Sequence, residues 1–276
     1  LLWRDDGSTD RTVAIADAFG ASQPAGRVQR CDGIAGRLGA TRSFLALLAA
    51  APDDKPFFAF CDQDDVWLPG KLARATAALA ALPPGRPAFY CARQQLVGPA
   101  LEPLGLSPAL RRPPGFANAL VQNIATGCTM VLNAAARRLV LDGPAPPDGT
   151  LHDWWCYLLV TGAGGTVIRD EEPALLYRQH GANAVGATDH ALTRLFSALR
   201  RGAGPYVNRI RAQAEALESA PNLTEDARRL LLLMRRLRDA GPLGRIAALW
   251  HGGVYRQSRL EDLILLAWVA RHRAIG

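Results

Sequence analysis

The sequence predicts an α/β domain with a mostly parallel sheet and helices on both faces, followed by an all-helical C-terminal extension. Through the first two thirds of the chain, short apolar runs alternate with helical patterns, which is typical of parallel strands joined by helices. From Ala191 onward the pattern is helical only. With 276 residues, 49% of them hydrophobic, the chain is long enough for one large α/β domain and an appendage. We assign the domain to residues 1–189 and the extension to residues 190–276.

The first part of the domain reads as strands and helices in strict alternation. Phe57–Cys61 is a continuous apolar run, which suits a central buried strand. Gly20 and Pro52 are predicted to end the first two helices, and Pro69 precedes the third at a position that proline tolerates. The predicted strands are Leu1–Arg4, Arg27–Cys31, Phe57–Cys61 and Ala88–Cys91, and the predicted helices are Arg11–Phe19, Ala40–Ala51 and Gly70–Leu82.

The later part has a loop, further alternation and then helices alone. Val97–Gly115 is rich in Pro and Gly and is predicted to be a loop. The helix Asp153–Leu159 contains two tryptophans, of which we expect at least one in the core. The other predicted strands are Thr129–Asn133, Thr166–Arg169 and Ala174–Arg178, and the other predicted helices are Ala134–Leu141, Leu192–Leu199, Leu230–Leu237 and Leu260–Val269.

The net charge of +7 is unevenly distributed. Residues 1–189 carry 15 Arg and 2 Lys against 18 acids, whereas residues 190–276 carry 15 Arg against 7 acids. The extension therefore has a net charge of +8 on a nearly neutral body. One explanation is an anionic partner such as a membrane face or a nucleic acid, and the other is a set of solvated, Arg-rich helices.

The cysteines and the apolar runs indicate the compartment. The five cysteines are widely spaced and form no CxxC pair, which argues against a zinc cluster and favours a reducing compartment. The longest apolar runs, Leu230–Met234 and Leu263–Ala270, are too short to span a bilayer. We therefore expect a cytoplasmic protein.

Acidic side chains follow two of the predicted strands. Asp62, Asp64 and Asp65 come directly after the Phe57–Cys61 strand, and carboxylates this close repel one another unless a cation lies between them. Mg²⁺ or Mn²⁺, with diphosphate oxygens as further ligands, suits such a cluster. Asp6, in the turn after the first strand, could accept a hydrogen bond from a nucleobase or a ribose. Its neighbours Ser8 to Asp10 could equally cap the next helix.

Two enzyme classes use a cluster of this kind. In phosphohydrolases of the haloacid dehalogenase type, the nucleophilic aspartate lies in a strand-end DxDx[TV] pattern, which Asp62-Gln63-Asp64-Asp65-Val66 fits. Those enzymes typically also need a downstream lysine, and no lysine follows Lys71. The second class is the glycosyltransferases that use nucleotide sugars.

The glycosyltransferase alternative is favoured by five motifs that occur in order. They are Asp5-Asp6-Gly7-Ser8-Thr9-Asp10, then Cys61-Asp62-Gln63-Asp64-Asp65-Val66-Trp67-Leu68-Pro69 with Lys71-Leu72, then Thr126-Gly127-Cys128-Thr129-Met130, then His152-Asp153-Trp154-Trp155, and finally Tyr177-Arg178-Gln179-His180-Gly181. Over roughly residues 1–187 the chain resembles the family 2 glycosyltransferases with a GT-A fold, and most closely their rhamnosyltransferase-like branch. Family members carry a strand and a helix before the first motif, so we expect an N-terminally truncated chain.

The resemblance implies a donor and metal side of the site. Asp6 resembles the aspartate that contacts the nucleobase. Asp62 and Asp64 resemble the DxD pair, in which Asp64 would bind the metal and Asp62 the ribose or the metal. His180 resembles the late histidine that approaches the metal and the diphosphate. Asp65 would contact these ligands without binding the metal itself. The implied cofactor is Mg²⁺ or Mn²⁺.

The resemblance also implies an acceptor side. Asp153 resembles the general base, with a helix N-cap as its alternative role. The segment Thr126, Gly127 and Cys128 would line the sugar or acceptor pocket. With one base and a stabilised leaving group, the expected reaction is a single displacement with inversion.

The expected function is the transfer of a sugar, with dTDP-rhamnose as the expected donor, to a bacterial surface polysaccharide or a lipid-linked acceptor. No nucleic acid partner is expected. The basic extension would dock peripherally at the inner face of the cell membrane, chiefly through Arg194, Arg200, Arg201, Arg235, Arg236 and Arg238. The alternative is a catalytically inactive remnant of the fold.

Overall fold

The computed structural model describes residues 1–33, 36–179 and 204–271. The chain divides into two compact units, of which the first is Leu1–Pro56 and the second begins at Phe57. The predicted boundary between residues 189 and 190 falls outside the described residues and stays a prediction. Each unit is described by itself.

The first unit is a small strand–helix–strand arrangement followed by a helix. β1 (Leu2–Trp3) pairs in parallel with β2 (Gln29–Arg30), with α1 (Thr12–Ser22) between them in sequence. α2 (Gly39–Ala50) follows, close to its predicted bounds. α1 continues through Gly20 and ends before Pro24, because the residue before a proline is disfavoured in helical conformation. The prediction that Gly20 ends this helix was therefore wrong.

The second unit contains a sheet of six short to long strands. Their order in the sheet is β3-β7-β5-β8-β4, and β6 pairs with the end of β5. The strands are β3 (Phe57–Ala59), β4 (Val66–Trp67), β5 (Ala88–Val97), β6 (Pro103–Leu106), β7 (Val131–Asn133) and β8 (Thr166–Arg178). The segment predicted as the loop Val97–Gly115 thus contains a strand, and the two predicted C-terminal strands form the single β8.

The strand directions in this sheet are mixed rather than mostly parallel. β5 and β8 are parallel. The other four pairings described, β3 with β7, β4 with β8, β5 with β6 and β5 with β7, are antiparallel. The prediction assumed that helical crossovers join successive strands, but the chain between β6 and β7 is largely irregular and returns β7 in the opposite direction. β3 also lies at one end of the described strand order, not at its centre.

Four helices accompany this sheet in the described residues up to 179. α3 packs Ala75 and Leu79 against Ala88 and Tyr90 of β5. α6 is buried along almost its whole length, which makes it the central helix of the core. The four helices are α3 (Lys71–Ala80), α4 (Phe116–Ala119), α5 (Ala134–Asp142) and α6 (His152–Gly162).

The described C-terminal region, residues 204–271, is wholly helical apart from its connections. α7 (Gly204–Leu217) and α9 (Pro242–His251) were not predicted, whereas α8 (Glu225–Asp239) and α10 (Arg259–Arg271) extend predicted helices. The predicted helix Leu192–Leu199 lies outside the described residues. Within the described part of the chain, every helix is too short or too polar to cross a bilayer. An α/β domain with an all-helical C-terminal region is thereby confirmed.

Candidate active site

The acidic loop, residues 62–65, lies between β3 and β4 and brings two carboxylates close to a thiol. The ligand atoms of Asp62, Asp65 and Cys128 all lie within 4.8 Å of one another. Burial, and then the charges of Asp65 and Asp64, raise the pKa of Asp62 to about 6. The carboxylate oxygens of Asp62 and Asp65 are suitable ligands for Mg²⁺ or Mn²⁺, whereas the Cys128 thiol, whose pKa is raised by burial, is not. Asp64 is half-buried on the same loop but is not one of the three.

The end of β8 holds the acidic loop in place. The backbone N–H of Arg178 donates to Oδ1 of Asp65 at 3.2 Å, and its guanidinium donates to the carbonyl oxygen of Asp64 at 3.0 Å. The second and fifth motifs, more than 100 residues apart in sequence, therefore meet. His180 follows this contact by two residues but lies outside the described residues, so its role as a metal ligand stays a prediction.

Lys71 is a buried cation beside the acidic loop. Its side chain is 1% exposed, its Nζ donates to the carbonyl oxygen of Cys128, and the Nζ lies 3.4 Å from the centre of the Trp67 ring. Burial lowers the pKa of Lys71 to about 8, although the neighbouring acidic groups oppose that shift. A positive charge in this place partly balances Asp62 and Asp65.

Replacing this cation tests its structural contribution. We expect Lys71→Met to lower the free energy of unfolding by about 1–3 kcal/mol, because a buried acceptor loses its donor and two carboxylates lose a neighbouring charge. Denaturant unfolding at pH 7 measures the loss. Lys55→Met is the matched control, since Lys55 is exposed and pairs with its neighbour Asp54. Equal stabilities for the two variants would contradict this assignment.

Asp153 lies in the first turn of α6 and fastens the turn Gly127–Thr129. Its Oδ2 accepts a hydrogen bond from the Gly127 N–H at 2.8 Å, and its Oδ1 accepts from Asn123 Nδ2 at 3.0 Å and from the Trp154 N–H at 2.6 Å. Burial raises the pKa of Asp153 to about 7, against the lowering effect of these donors. The helix begins at His152 with Leu151 as N-cap, so the N-cap alternative for Asp153 was wrong.

The turn Gly127–Thr129 connects the acidic loop with Asp153. Gly127 contacts Asp153, while the next residue, Cys128, presents its Sγ to Asp62 and Asp65 and its carbonyl oxygen to Lys71. A Cβ at position 127 would lie 2.5 Å from Nε2 of His152, so the close approach requires glycine. Cys128 is buried and Thr126 half-buried. Their predicted role in lining a sugar or acceptor pocket stays a prediction.

Asp6 lies in the first unit and organises its own surroundings. Its carboxylate accepts hydrogen bonds from the backbone N–H groups of Leu38 and Gly39, at 2.7 and 2.8 Å, and from the Arg4 guanidinium at 2.6 Å. The Leu38 N–H, and then Arg4, lower the pKa of Asp6 to about 2. The side chain is therefore ionised and connects the turn after β1 with the start of α2. Its predicted contact with the nucleobase stays a prediction.

The two tryptophans of α6 both belong to the core. Trp155 is fully buried and donates from Nε1 to the Pro144 carbonyl oxygen at 3.0 Å. Trp154 is 5% exposed and donates from Nε1 to the Ala119 carbonyl oxygen at 2.6 Å. This confirms the expectation that at least one packs in the core.

Sequence reasoning missed two residues of this arrangement. Asn123, which holds Asp153, lies outside all five motifs, and only its short distance before Thr126 could have drawn attention to it. Lys71 belongs to the second motif, but its burial depends on Cys128, 57 residues further along the chain. No local pattern distinguishes a buried lysine from the usual exposed one.

Comparisons with known proteins establish the family of the chain. The family model described as glycosyl transferase family 2 matches residues 2–140, which is slightly more than half of the chain. The chain belongs to glycosyl transferase family 2. The match includes the first three motifs, and membership decides against the phosphohydrolase alternative.

Two relatives of this family 2 glycosyltransferase are informative. The dTDP-rhamnosyl transferase RfbG of Shigella flexneri is 26% identical over 195 residues, which cover 66% of this chain and 63% of RfbG. The chain thus spans less than two thirds of the length of that relative. The crystal structure of S. aureus TarS 1-349 in complex with UDP-GlcNAc is similar with a TM-score of 0.54 at 13% identity, covering 90% of this chain and 69% of TarS. This likeness confirms the fold class.

Proposed function

We propose that this family 2 glycosyltransferase transfers rhamnose from dTDP-rhamnose to a hydroxyl group of a growing surface polysaccharide or a lipid-linked acceptor, with inversion. The observation that supports the reaction type is the position of the turn Gly127–Thr129. This turn contacts the acidic loop, which could hold a cation, on one side and the buried carboxylate of Asp153 on the other. The similarity to RfbG, named as a dTDP-rhamnosyl transferase, supports the donor.

The residues divide the chemistry between them. Asp153 takes the proton of the acceptor hydroxyl as its oxygen attacks the anomeric carbon. Asp64, with Asp62 and His180, would hold Mg²⁺ or Mn²⁺, and the bound ion supplies charge neutralisation for the departing nucleoside diphosphate. A single base, with no carboxylate assigned as nucleophile, implies one displacement and therefore inversion at the anomeric carbon.

A donor panel tests the proposal. The protein is incubated with dTDP-rhamnose, UDP-GlcNAc and other nucleotide sugars, together with a saccharide acceptor and Mn²⁺, and the anomeric configuration of the product is determined by NMR. We expect transfer from dTDP-rhamnose with inversion and loss of transfer when the metal is chelated. Retention of configuration would contradict the single displacement. Failure to bind any nucleotide with or without metal would favour the inactive remnant.

The ionisation of Asp153 predicts the pH dependence of the reaction. Because burial raises the pKa of this carboxyl to about 7, it is mostly protonated at lower pH and then cannot accept the hydroxyl proton. We expect kcat to rise about tenfold per pH unit up to the pKa and to level off above it. The measurement is kcat from pH 5 to 9 at saturating donor and metal. A flat profile over this range would remove Asp153 as the base.

We also propose peripheral docking of the helical region on anionic membranes. Of the six arginines predicted to make contact, Arg194, Arg200 and Arg201 lie outside the described residues. Arg235 pairs with Glu218 at 2.6 Å, and Arg238 pairs with Glu215 and Asp239, so part of the charge on α8 is already balanced. Deleting the region would also remove buried side chains such as Leu231 and Leu265. Charge substitutions are therefore the appropriate test.

Neutralising Arg194, Arg200 and Arg201 should weaken membrane binding. We expect the triple variant Arg194→Gln, Arg200→Gln and Arg201→Gln to bind anionic vesicles at least about tenfold more weakly, since each arginine near such a surface contributes about 1 kcal/mol. Sedimentation with phosphatidylserine vesicles measures the loss, and phosphatidylcholine vesicles serve as control. Unchanged binding would contradict docking through these three arginines.

A further inference from the structure

The connection between α9 and α10, residues 252–258, forms hydrogen bonds with residues 111–122, which are distant in sequence. Oε1 of Gln257 accepts hydrogen bonds from the backbone N–H groups of Arg111 and Arg112, at 2.9 and 3.0 Å. The N–H of Gln257 donates to Oε1 of Gln122 at 2.7 Å, and Nη1 of Arg256 donates to the Val121 carbonyl oxygen at 3.1 Å. Residues 111–122 are thus held at both ends by two adjacent residues of the helical region.

Further hydrogen bonds and an ion pair stabilise the same contact. The Arg112 guanidinium donates to the Asp262 carboxylate at 2.6 Å and to the Arg256 carbonyl oxygen at 3.0 Å. The same Asp262 carboxylate accepts from the Arg256 N–H at 2.6 Å. The Tyr206 hydroxyl of α7 joins Arg256 at the Val121 carbonyl oxygen. The side chains of Arg112, Asp262 and Arg256 are all less than one third exposed, so these pairs are shielded from solvent.

The segment 111–122 is also connected to α6 and, through the next residue, to Asp153. Asn118, which is fully buried, accepts from the Tyr157 hydroxyl of α6 at 3.0 Å and donates to the Tyr255 carbonyl oxygen at 2.9 Å. Asn123, the residue after Gln122, donates to Oδ1 of Asp153 at 3.0 Å. One residue therefore separates the Arg256 contact at Val121 from the side chain that orients the Asp153 carboxylate.

We propose that Arg256 and Gln257 are positioning residues, through which the helical region holds Asn123 and thereby the carboxylate of Asp153 in its working orientation. The inference rests on the proposed role of Asp153 as general base. It makes the helical region part of the acceptor side of the enzyme. Small displacements of a catalytic group have large kinetic effects, so a loosened segment slows transfer without touching the donor site.

Two variants of the full chain each remove hydrogen bonds between the 252–258 connection and residues 111–122, and two matched variants serve as controls. Arg256→Met removes the donor to Val121, and Gln257→Leu removes the acceptor for two backbone N–H groups. Gln257→Glu keeps an acceptor oxygen in that place. Arg229→Met removes an arginine whose ion pairs are exposed and belong to α8 alone.

Kinetics and hydrogen exchange are measured on all four variants. We expect Arg256→Met and Gln257→Leu to lower kcat about tenfold or more while KM for the donor stays within about twofold. Amide protection in the peptide covering residues 121–128 should fall about tenfold, the equivalent of one lost hydrogen bond. Gln257→Glu should recover most of both, and Arg229→Met should match the unmodified protein. Thermal melting identifies any variant that unfolds globally.

The outcomes separate this inference from the proposed function. Unchanged kcat and unchanged amide protection at residues 121–128 in both Arg256→Met and Gln257→Leu would overturn the inference. A general loss of protection, with kcat lowered and KM for the donor raised more than about twofold, would also overturn it, since it would show a merely structural role. Reduced local protection in a protein that transfers no sugar from any donor would support the coupling and reject the proposed function.

Discussion

Asp153→Asn should lower the rate of sugar transfer by about two orders of magnitude or more, the range typical of losing a general base. An amide cannot take the proton of the acceptor hydroxyl, whereas the acidic loop, where we propose that the donor binds, is unaltered. We therefore expect the affinity for the nucleoside diphosphate to stay close to that of the unmodified protein. Single-turnover transfer and nucleotide titration measure the two effects separately.

The contacts of Asp153 require a control for folding. Both of its oxygens accept N–H donors, so the asparagine would place its own N–H₂ group against Gly127 or against Asn123 and Trp154. Asp142→Asn, at the exposed end of α5, is the matched substitution. A slow but fully folded Asp153→Asn protein that still binds donor supports the role of base. Transfer at a near-normal rate would show that another group accepts the proton.

Asp64→Asn should abolish the dependence of nucleotide binding on Mg²⁺ or Mn²⁺. In the proposed mechanism, this change removes one ligand charge at the place where the diphosphate also binds. We expect metal affinity to fall by at least about 10–100-fold, the loss that follows removal of even an outer partner of a ligand. Calorimetric titration of the nucleoside diphosphate with and without Mn²⁺ measures the difference. Unchanged binding with and without the ion would contradict a metal-dependent mechanism.

A parallel Asp65→Asn variant distinguishes between two neighbouring carboxylates. Asp65 is already engaged by the Arg178 N–H and lies with Asp62 and Cys128, whereas the resemblance assigns the metal to Asp64. We expect the smaller effect from Asp65→Asn. If Asp65→Asn removes the metal response and Asp64→Asn preserves it, the ion is held by Asp62 and Asp65 instead. Asp54→Asn, on an exposed turn, controls for the loss of one negative charge.

Local signals in the sequence were sufficient for the class of fold and for the family. The acidic run after Phe57–Cys61 and the aspartate at the start of α6 lie in contiguous motifs, so both could be located in the sequence, while the roles proposed for Asp64 and Asp153 come from the resemblance to the family. The helices α2, α3 and α5 formed near their predicted bounds because amphipathic spacing, proline and glycine act within a few residues.

Tertiary structure alone decided the direction of the strands, the burial of Lys71 and the place of the helical region. The antiparallel entry of β7 depends on the path of an irregular connection, which no periodicity encodes. Lys71 is buried because Cys128 and Trp67 converge on it, and Gln257 is anchored by Gln122, 135 residues before it. Such contacts join segments far apart in the chain, and their formation depends on packing of the whole unit rather than on any local propensity.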